Sequence, residues 1–441
     1  MDAVISAGGK GTRLGSLTRD IPKCLIPIGS KPILRLQLEE LARNGIRKAW
    51  MLTGHLGEIV DEYLSSGKTP IEVETIREPA PLGTGGGLAE LRGRIAEDFL
   101  FVYGDLVFCL DLGRMKACHE EERSVVTLLA HPNSHPFDSD LIQTDSSSGK
   151  VSALLGKKSP RPGYYRNLVN AGVYIISPRL LDALVPSGKR DFEKDILPPL
   201  VAAGEVGCYR TTEYVKDMGT LDRLDRVAKD LGDGFVESRR LNNPQRAIFF
   251  DRDGTLNKYV GLLSKPDDLE LLPGAAEAVR LGNEKGYLCF VVTNQPVVAR
   301  GLCTFEEEDE INGKLETLLG AEGAFLDDFR YCPHHPNGGY PGEIASLKID
   351  CGCRKPKTGM LDELAKKYNI DLSRSWLIGD TSSDIQTAKN AGMRSVLVSC
   401  GMPEPQRKYQ ATPEGAASDA LEAVRFVLSS YGAEIVGESL A

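Results

Sequence analysis

Residues 247–257 read AIFFDRDGTLN, and this stretch decides how the second half of the chain folds. A short apolar run ends in Asp251 and Asp253, and a Gly-Thr turn follows. This pattern is typical of a buried parallel strand whose C-terminal end carries an active site in an open α/β sheet. Side chains alternate along a strand, so both carboxylates face one side, where they repel each other unless a cation intervenes or one is protonated. An ordinary Asp-Gly turn is the alternative interpretation.

The composition is that of an ordinary globular protein with more than one domain. The chain has 441 residues, of which 41% are hydrophobic and 26% charged, enough for two or three buried cores. The net charge of -9 argues against a nucleic-acid partner. We see no signal peptide and no apolar run long enough for a membrane helix, which predicts a cytoplasmic protein without membrane contact. The cysteine pattern fits a reduced compartment with one metal site.

The first predicted strand of the chain runs into the glycine-rich sequence GGKGTRLG. Gly8, Gly9 and Gly11 let the backbone approach a ligand closely and turn N–H groups toward phosphate oxygens. The spacing matches neither the Rossmann fingerprint nor the P-loop. Arg13 adds a planar fork for phosphate, and Lys23 adds a second cation on the same side of the loop. The loop therefore predicts a phosphate site.

With Thr12 completing Gly-Gly-x-Gly-Thr-Arg, and Pro-Lys ten residues beyond the arginine, residues 1–231 resemble the sugar-1-phosphate nucleotidyltransferase family. The mannose-1-phosphate guanylyltransferase-like members are the most similar. The resemblance implies an α/β fold, with Mg²⁺ held by Asp105 and Asp217. It also implies in-line attack of a sugar 1-phosphate on the α-phosphate of a nucleoside triphosphate, aided by Arg13, Lys23 and the metal. Either aspartate could otherwise be an ordinary polar residue at a strand end.

Three further segments complete the substrate site that this resemblance implies. The sequence 82–87, LGTGGG, is similar to the family's loop over the nucleobase and ribose, although a flexible turn is the alternative. In the sugar-contacting segments, Glu193 would accept hydrogen bonds from sugar hydroxyls and Lys194 would meet the sugar phosphate. The remaining substrate-binding residues are Glu78, Gly83, Thr84, Asn170 and Gly172.

A domain boundary is predicted between the two halves. An amphipathic helix over 220–231 closes the first domain, and Gly232-Asp233-Gly234 ends it. We expect a nucleotidyltransferase domain over 1–232, a linker over 233–244 and a second domain over 245–441. The two arginines of the linker, Arg239 and Arg240, are most simply interpreted as solvated.

Four motifs in order make the second half resemble the haloacid dehalogenase superfamily: Asp-x-Asp-Gly-Thr, a strand ending in Thr-Asn, a lysine, and a strand ending in Gly-Asp. Both domains are therefore expected to be doubly wound Rossmann-like α/β folds. The resemblance implies that Asp251 attacks phosphorus, while Asp253 protonates the leaving oxygen and then activates water. Mg²⁺ would bind Asp251, the backbone carbonyl of Asp253, and Asp380. The transferring phosphoryl group would be held by Thr293, Asn294 and Lys355.

Cys332-Pro-His334 and, sixteen residues later, Cys351-Gly-Cys353 form a further local pattern. Three sulfurs and one imidazole make a closed tetrahedral site, which is what structural Zn²⁺ prefers. A redox pair or scattered free thiols are the alternatives. His335 is a rival ligand, and His334 is favoured because the matching family motif uses that position.

The zinc loop narrows the resemblance to phosphatases that include the D-glycero-D-manno-heptose 1,7-bisphosphate 7-phosphatases and the histidinol phosphatases. The sequences Cys-Pro-His-His-Pro and Cys-x-Cys-Arg-Lys-Pro are most similar to the heptose enzymes, in which Arg354 and Lys355 would meet a polyol phosphate. Two departures near the phosphate site, at 296–298 and Thr381, bear on substrate identity.

Together the two resemblances imply one multifunctional enzyme. A sugar bisphosphate would lose its distal phosphate in the second domain, and the sugar 1-phosphate would react with GTP in the first. The product would be GDP-D-glycero-α-D-manno-heptose, a precursor of lipopolysaccharide, capsule or S-layer glycan. Another sugar or nucleotide (mannose 1-phosphate, UTP or CTP), or one domain serving only as a binding module, stays open. Oligomeric state also stays open, with a homo-oligomer among the options.

Overall fold

The computed structural model describes residues 1–441 except 10, 68, 146–147, 159, 162, 186–187, 401–407 and 439–441. The chain divides into two compact units. Unit 1 comprises Met1–His131, Ile142–Leu155 and Asn170–Asn243. Unit 2 comprises Pro132–Leu141, Gly156–Val169 and Pro244–Ala441. Each unit combines a β-sheet with α-helices, which confirms the predicted α/β fold class.

The first half of the chain contributes thirteen strands and seven α-helices among the residues described. The strands are β1 Ala3–Ser6, β2 Pro27–Ile28, β3 Lys31–Pro32, β4 Lys48–Thr53, β5 Glu72–Arg77, β6 Phe99–Tyr103, β7 Leu106–Cys109, β8 Val126–His131, β9 Leu141–Thr144, β10 Val151–Leu155, β11 Val169–Ile176, β12 Val206–Arg210 and β13 Tyr214–Asp217. The helices are α1 Ile33–Arg43, α2 Gly57–Ser66, α3 Leu112–Glu122, α4 Arg179–Ala183, α5 Leu197–Ala202, α6 Leu221–Gly232 and α7 Phe235–Ser238.

The main sheet of this half is mixed, with the order β10-β9-β11-β6-β1-β4-β5. Strands β4 and β6 flank β1 in parallel, and β11 runs antiparallel to β6. Strand β1 is apolar because both of its faces are covered, as is usual for parallel strands. Helix α1 buries the apolar residues that recur at helical spacing on one face: Ile33, Leu34, Leu38 and Leu41. The glycine-rich loop thus leaves the C-terminal end of a central strand.

The segment predicted as a solvated linker is folded against unit 1, so that interpretation of its arginines was wrong. Arg239 and Arg240 are both buried. Arg240 donates to both carboxylate oxygens of Glu40 at 3.0 and 2.7 Å. The N–H of Leu241 donates to the buried carboxylate of Glu213. A buried guanidinium needs such a paired acceptor, and residue composition alone gives no sign of one.

The second half of the chain contributes six strands and six α-helices among the residues described. The strands are β14 Ala247–Phe250, β15 Leu288–Asn294, β16 Asp328–Cys332, β17 Trp376–Gly379, β18 Arg394–Val398 and β19 Gly415–Ala417. The helices are α8 Ala275–Glu284, α9 Pro296–Ala299, α10 Phe305–Ala321, α11 Gly359–Tyr368, α12 Ser382–Asn390 and α13 Ala420–Glu438.

The sheet of unit 2 is parallel throughout, with the order β16-β15-β14-β17-β18-β19. Strand β14 is fully buried in its centre, between β15 and β17. Because the strands are parallel, the residues that follow β14 and β17 and end β15 meet at one edge. The stretch over 247–257 therefore delivers Asp251 and Asp253 to this edge of the sheet.

Unit 2 also contains two segments from the first half of the sequence. The N–H of Tyr165 donates to Thr317 at 2.9 Å, and the N–H of Asn167 donates to Glu316 at 2.6 Å. Arg166 forms an ion pair with Glu316 at 3.0 Å. These contacts fix the middle of α10. In the described part of the chain, no helix is long and apolar enough to cross a bilayer.

Candidate active sites

In unit 1, the strand pair β7·β13 brings two distant aspartates together. The pair is antiparallel and sets Asp217 opposite Leu106, the residue after Asp105. The N–H of Met218 donates to the backbone carbonyl of Asp105 at 2.9 Å. The sequence could suggest that the two residues act together only through the family resemblance, because the pairing is a tertiary contact.

Cations surround this aspartate pair. Lys23 forms an ion pair with Asp105. Arg223 of α6 binds Asp217 at 2.5 Å. Burial opposes ionisation of Asp217, but Arg223 and the N–H of Gly219 outweigh it and hold the pKa of Asp217 below its usual range. Paired carboxylates and cations of this kind can hold a divalent ion and the phosphates bound to it.

Arg13 joins the same group of charges. A Cβ on Gly219 would lie 3.2 Å from Nη2 of Arg13 and 2.7 Å from Oδ1 of Asp217, so only glycine fits between them. The glycine-rich loop separates β1 from a 3-10 helix over Thr12–Thr18. The side chain of Thr12 lies outside the described residues. The loop glycines that lead to Arg13 are Gly8, Gly9 and Gly11.

A buried carboxylate, Glu78, lies beside the glycine-rich loop. A Cβ on Gly8 would lie 3.0 Å from Oε2 of Glu78, and one on Gly87 would lie 2.5 Å from Oε1. Burial raises the pKa of Glu78, and the N–H of Leu82 opposes that shift. Only glycine fits at these two positions, because a side chain there would collide with the carboxylate of Glu78.

The loop over 82–87 is tied to the predicted sugar segment. Thr84 accepts a hydrogen bond from the N–H of Phe192 at 2.8 Å, and the N–H of Gly85 donates to the carbonyl of Arg190. The neighbouring glycine of the loop, Gly83, has a positive φ of 80°. Glycine-rich sequence here therefore forms a fixed turn rather than a loose one.

A polar network occupies the predicted sugar segment. Glu193 accepts from the hydroxyl of Tyr174 at 2.9 Å and from Asn170 at 3.1 Å. Asn170 also accepts from the N–H of Gly172. Lys194 is largely exposed and forms an ion pair with Asp191 at 3.1 Å. A carboxylate held in this way can accept hydrogen bonds from sugar hydroxyls.

In unit 2, a buried lysine bridges two aspartates. Nζ of Lys355 lies 2.9 Å from Oδ2 of Asp251 and 2.5 Å from Oδ1 of Asp384. Burial opposes the charge of Lys355, but the two carboxylates outweigh it and raise the pKa of the lysine. The side chain of Asn294 bonds the backbone N–H and carbonyl of Lys355. Thr293 is buried beside it and accepts from Gln295 at 3.0 Å.

The carboxylates at this edge fit a divalent cation. Asp251, Asp380 and Asp384 each offer an oxygen within 4.8 Å of the others. Neither oxygen of the buried Asp380 has a hydrogen-bond partner among the described residues. Burial, followed by repulsion between neighbours, raises the pKa of Asp380 to about 8 and of Asp251 to about 6. A hard cation with oxygen ligands would relieve both costs.

The second aspartate of the opening stretch is held by four donors. Asp253 accepts from Asn257 at 2.9 Å and from Gln295 at 2.6 Å. Arg252 donates to both of its oxygens, at 3.3 and 3.0 Å. Burial opposes ionisation of Asp253, but these donors outweigh it and lower the pKa of its carboxyl. Its side chain lies outside the cluster of three aspartates.

A cavity of about 300 Å³ opens over these residues. Asp251, Asp253 and Asp380 line it, together with Arg354, Lys408 and Tyr409. Arg354 donates to the backbone carbonyl of His334 at 3.1 Å. A larger groove of about 660 Å³ runs from Ala42 to Glu72, but none of the predicted site residues lines it. We therefore associate chemistry with the smaller cavity.

The predicted zinc ligands converge. They are Cys332, His334, Cys351 and Cys353, whose ligand atoms all lie within 4.8 Å of one another. Sγ of Cys353 lies 3.3 Å from both other sulfurs and 3.4 Å from Nδ1 of the histidine. Hydrogen bonding with Cys332, and then with Cys351 and His334, lowers the pKa of the Cys353 thiol to about 5 despite burial. Nδ1 of the rival, His335, instead accepts from the N–H of Asn337. The donor set fits structural Zn²⁺.

Several residues in these sites were missed by the sequence analysis. Asp384 could have been found, because Thr-x-x-Asp after a strand is a capping-box pattern, and it does cap α12. Gln295 directly follows the Thr-Asn pair. Arg223, Tyr174 and Arg252 were missed as well, because an arginine or tyrosine near a carboxylate in sequence is common and their contacts depend on the folded structure.

Comparisons with known proteins match both halves. The sequence model of the nucleotidyl transferase family matches residues 2–234, and the HAD-hydrolase-like model matches residues 352–423. A D-glycero-D-manno-heptose-1,7-bisphosphate 7-phosphatase of Thermosynechococcus vestitus is 37% identical over 191 residues, 42% of this chain and 96% of that protein. A mannose-1-phosphate guanylyltransferase of Mycobacterium tuberculosis is 31% identical over 245 residues, 55% of this chain and 67% of that protein.

These matches define two enzyme classes, a nucleotidyltransferase and a HAD phosphatase. The chain belongs to the nucleotidyl transferase family, and its second half belongs to the family of the Thermosynechococcus phosphatase. The crystal structure of HddC from Yersinia pseudotuberculosis is also similar, with 26% identity, a TM-score of 0.46, and coverage of 52% of this chain and 99% of that one. Both family resemblances predicted from the motifs are confirmed.

Proposed function

We propose that this chain is a bifunctional enzyme of nucleotide-activated heptose biosynthesis. Its phosphatase half removes the 7-phosphate of D-glycero-D-manno-heptose 1,7-bisphosphate, and its transferase half joins the heptose 1-phosphate to GMP from GTP. The observation that carries the proposal is the presence of two charged sites in one chain whose halves are similar to a heptose bisphosphate phosphatase and to a guanylyltransferase. The product of the first reaction is a substrate for the second.

In the phosphatase half, Asp251 supplies the nucleophile. One oxygen of Asp251 attacks phosphorus while the bond to the sugar oxygen breaks. Asp253, whose pKa is lowered in the free site, takes up a proton when the negative phosphate of the substrate raises that pKa, and it gives this proton to the sugar oxygen. The resulting aspartyl phosphate is attacked by water, from which Asp253 takes a proton, and orthophosphate leaves with Asp251 restored. The side-chain nitrogen of Lys355 lies 2.9 Å from Oδ2 of Asp251. It offsets negative charge while the phosphoryl group is transferred.

In the transferase half, an oxygen of the sugar 1-phosphate attacks the α-phosphorus of GTP, and pyrophosphate leaves. Arg13 and Lys23 offset the charge that develops on the phosphates. Guanine is the base whose hydrogen-bond donors match the carboxylate of Glu78. Its Watson–Crick edge presents the N1–H and N2–H donors side by side, which a carboxylate can accept with two oxygens. Uracil and cytosine lack that donor pair.

The metal requirements are part of the proposal. Mg²⁺ would be held by Asp105 and Asp217 in the transferase half and by Asp251 and Asp380, with the carbonyl of Asp253, in the phosphatase half. When bound, it would supply charge neutralisation between carboxylates and phosphates. Structural Zn²⁺ would be held by Cys332, His334, Cys351 and Cys353 and would supply a fixed fold for the loop that carries Arg354.

The proposed substrates are small molecules: a sugar bisphosphate, a sugar 1-phosphate and a nucleoside triphosphate. Several observations support a reduced compartment such as the cytoplasm. All ten cysteines are free, and thiolate ligands for zinc need reducing conditions. We also propose that residues 233–244 separate the transferase half from the phosphatase half, because the nucleotidyl transferase model matches up to residue 234 and the HAD model matches later in the chain.

Each half can be tested by phosphorus NMR with Mg²⁺. The phosphatase half should release orthophosphate from heptose 1,7-bisphosphate, and Asp251→Asn should abolish that release. The transferase half should release pyrophosphate from GTP with heptose 1-phosphate, and Asp105→Asn should abolish only this reaction. Pyrophosphate from UTP or CTP, but not from GTP, would contradict the guanylyl assignment. Orthophosphate release that survives Asp251→Asn would remove the assigned nucleophile.

A further inference from the structure

The residue between Asp251 and Asp253 in the sequence is an arginine, and its side chain is fully buried. Arg252 is 0% exposed and is among the largest fully buried side chains described. Burying a guanidinium is unfavourable unless the group is paired and hydrogen-bonded. Burial opposes its charge, but Asp253 and then Glu308 outweigh that cost and raise its pKa. The proposed reaction assigns Arg252 no role, so the cost of burying it needs another explanation.

The guanidinium forms a fork on Asp253. Nε donates to Oδ1 at 3.3 Å and Nη2 donates to Oδ2 at 3.0 Å. Asn257 and Gln295 each reach one oxygen only. A two-point contact fixes the plane of a carboxylate, whereas single contacts at its two ends allow it to tilt.

The other side of the guanidinium is anchored to α10. Nη1 of Arg252 donates to Oε1 of Glu308 at 2.5 Å and to Oδ1 of Asn312 at 2.9 Å. Glu308 and Asn312 stand four residues apart on one face of the helix, and both are 0% exposed. Asp253, Arg252 and Glu308 thus form a continuous buried chain from the cavity to the helix.

Helix α10 is itself held at two points. A capping box between Thr304 and Glu307 fixes its first turn. Two turns beyond Glu308, Glu316 accepts from the N–H of Asn167 and pairs with Arg166. An anchored helix holds Glu308 still, and Glu308 in turn holds the guanidinium.

We propose that Arg252, anchored by Glu308 and Asn312, is a positioning residue that fixes the carboxyl of Asp253 for proton transfer. The inference rests on the proposed phosphatase activity of this site. A proton donor must point at the leaving oxygen, and small errors in its placement cost much of its effect. The rival interpretation is that Arg252 only ties the end of β14 to α10.

The two interpretations predict different losses of activity for substrates with poor and with good leaving groups. A sugar alkoxide leaves slowly without a proton, whereas p-nitrophenolate leaves readily without one. Arg252→Lys keeps a charge but loses the fork. We expect its kcat/KM for heptose 1,7-bisphosphate to fall about 10–100-fold, part of what a general acid supplies, and its kcat/KM for p-nitrophenyl phosphate to fall less than about 3-fold.

Glu308→Gln is the second variant, because it keeps the shape of the anchor if Arg252→Lys fails to fold. It should show the same selectivity with a loss of about 3–10-fold on the bisphosphate. Arg330→Lys is the matched control, since Arg330 is a partly buried arginine of the same unit whose ion pairs are with Asp328 and Glu363. In Arg330→Lys, kcat/KM should not fall more for one of the two substrates than for the other.

Equal losses on both substrates, or no loss on either, would overturn the positioning role. A wild-type enzyme that hydrolyses p-nitrophenyl phosphate but not heptose 1,7-bisphosphate would instead contradict the proposed substrate. Phenyl phosphate then replaces the bisphosphate as the poor leaving group, and the comparison of Arg252→Lys with wild type stands. Zinc content and transferase activity, measured on every variant, show that the chain is folded.

Discussion

The side-chain nitrogen of Lys355 lies 2.9 Å from Oδ2 of Asp251, and both residues are buried. The same nitrogen reaches Asp384 at 2.5 Å. One cation thus holds the nucleophile beside a second carboxylate, at the edge where β14 and β17 end. This contact joins residues from separate motifs into one centre.

Lys355→Met should abolish most of the phosphatase activity. It removes the cation that offsets negative charge on the transferring phosphoryl group. We expect kcat to fall about 100–1000-fold, the usual loss when one such electrostatic stabiliser is removed. Transferase kinetics should be unchanged. Lys366→Met, an exposed lysine of α11, is the control and should keep both activities. Retention of full phosphatase activity in Lys355→Met would contradict the assigned role.

Glu78→Gln should weaken the use of GTP. The change replaces two acceptor oxygens by one acceptor and one donor, and a hydrogen bond to a charged group contributes about 1.5–3 kcal/mol. We expect KM for GTP to rise about 10–100-fold with a small change in kcat. Steady-state pyrophosphate release measures both constants. Glu74→Gln, on the neighbouring strand β5, should leave them unchanged. An unaltered KM in Glu78→Gln would remove the guanine contact.

Purified protein should contain zinc in proportion to chain, and Cys353→Ser should lose it. Three ligands hold zinc far more weakly than four in a closed site. Elemental analysis by mass spectrometry measures the metal. Phosphatase activity should fall with the zinc, because Arg354 is tied to the backbone of His334. His335→Ala should retain the metal. Zinc loss in His335→Ala, but not in Cys353→Ser, would reverse the choice of ligands.

Without Mg²⁺, the phosphatase unit should become less stable as the pH rises from about 4 to about 8. The folded pKa values of Asp251, about 6, and Asp380, about 8, lie above the ordinary 3.8. A raised carboxyl pKa contributes stability that is complete below the ordinary value and is lost as pH rises through the folded value. Thermal unfolding should shift by about 2–4 °C for each kcal/mol.

Two comparisons check the cause of this pH dependence. Added Mg²⁺ should flatten it, because the cation offsets the crowded charges. Asp380→Asn should flatten it as well, because it removes the group with the higher pKa. An identical slope in Asp380→Asn, measured without Mg²⁺, would show that other groups produce it.

The sequence predicted those residues whose position follows from strand ends. Asp251 and Asp380 follow buried apolar runs, and parallel pairing is enough to bring them together. Glu308, Asn312 and Glu316 were not predicted, because polar residues at every fourth position of a helix normally indicate a solvated face. All three are buried because they bind other parts of unit 2. The partner of Glu308 is Arg252, which follows β14, and the partner of Glu316 is Arg166, from the first half of the chain.

The same limit explains the other differences. Arg240 was assigned to solvent because the residues around it are polar, and its partner Glu40 lies two hundred residues away. The segment over 156–169 was assigned to the first domain by sequence order, although it clusters with unit 2. Local pattern predicts elements and strand ends, but long-range pairing of charges depends on the folded structure.

The most direct test of the central claim is one reaction mixture of the full chain with heptose 1,7-bisphosphate, GTP and Mg²⁺, followed by mass spectrometry of the nucleotide sugar. We predict GDP-heptose without a second sugar phosphate. Asp251→Asn should form none, and Asp105→Asn should accumulate heptose 1-phosphate. A nucleotide sugar that still carries the 7-phosphate, or GDP-heptose formed by Asp251→Asn, would contradict the sequential action of the two sites.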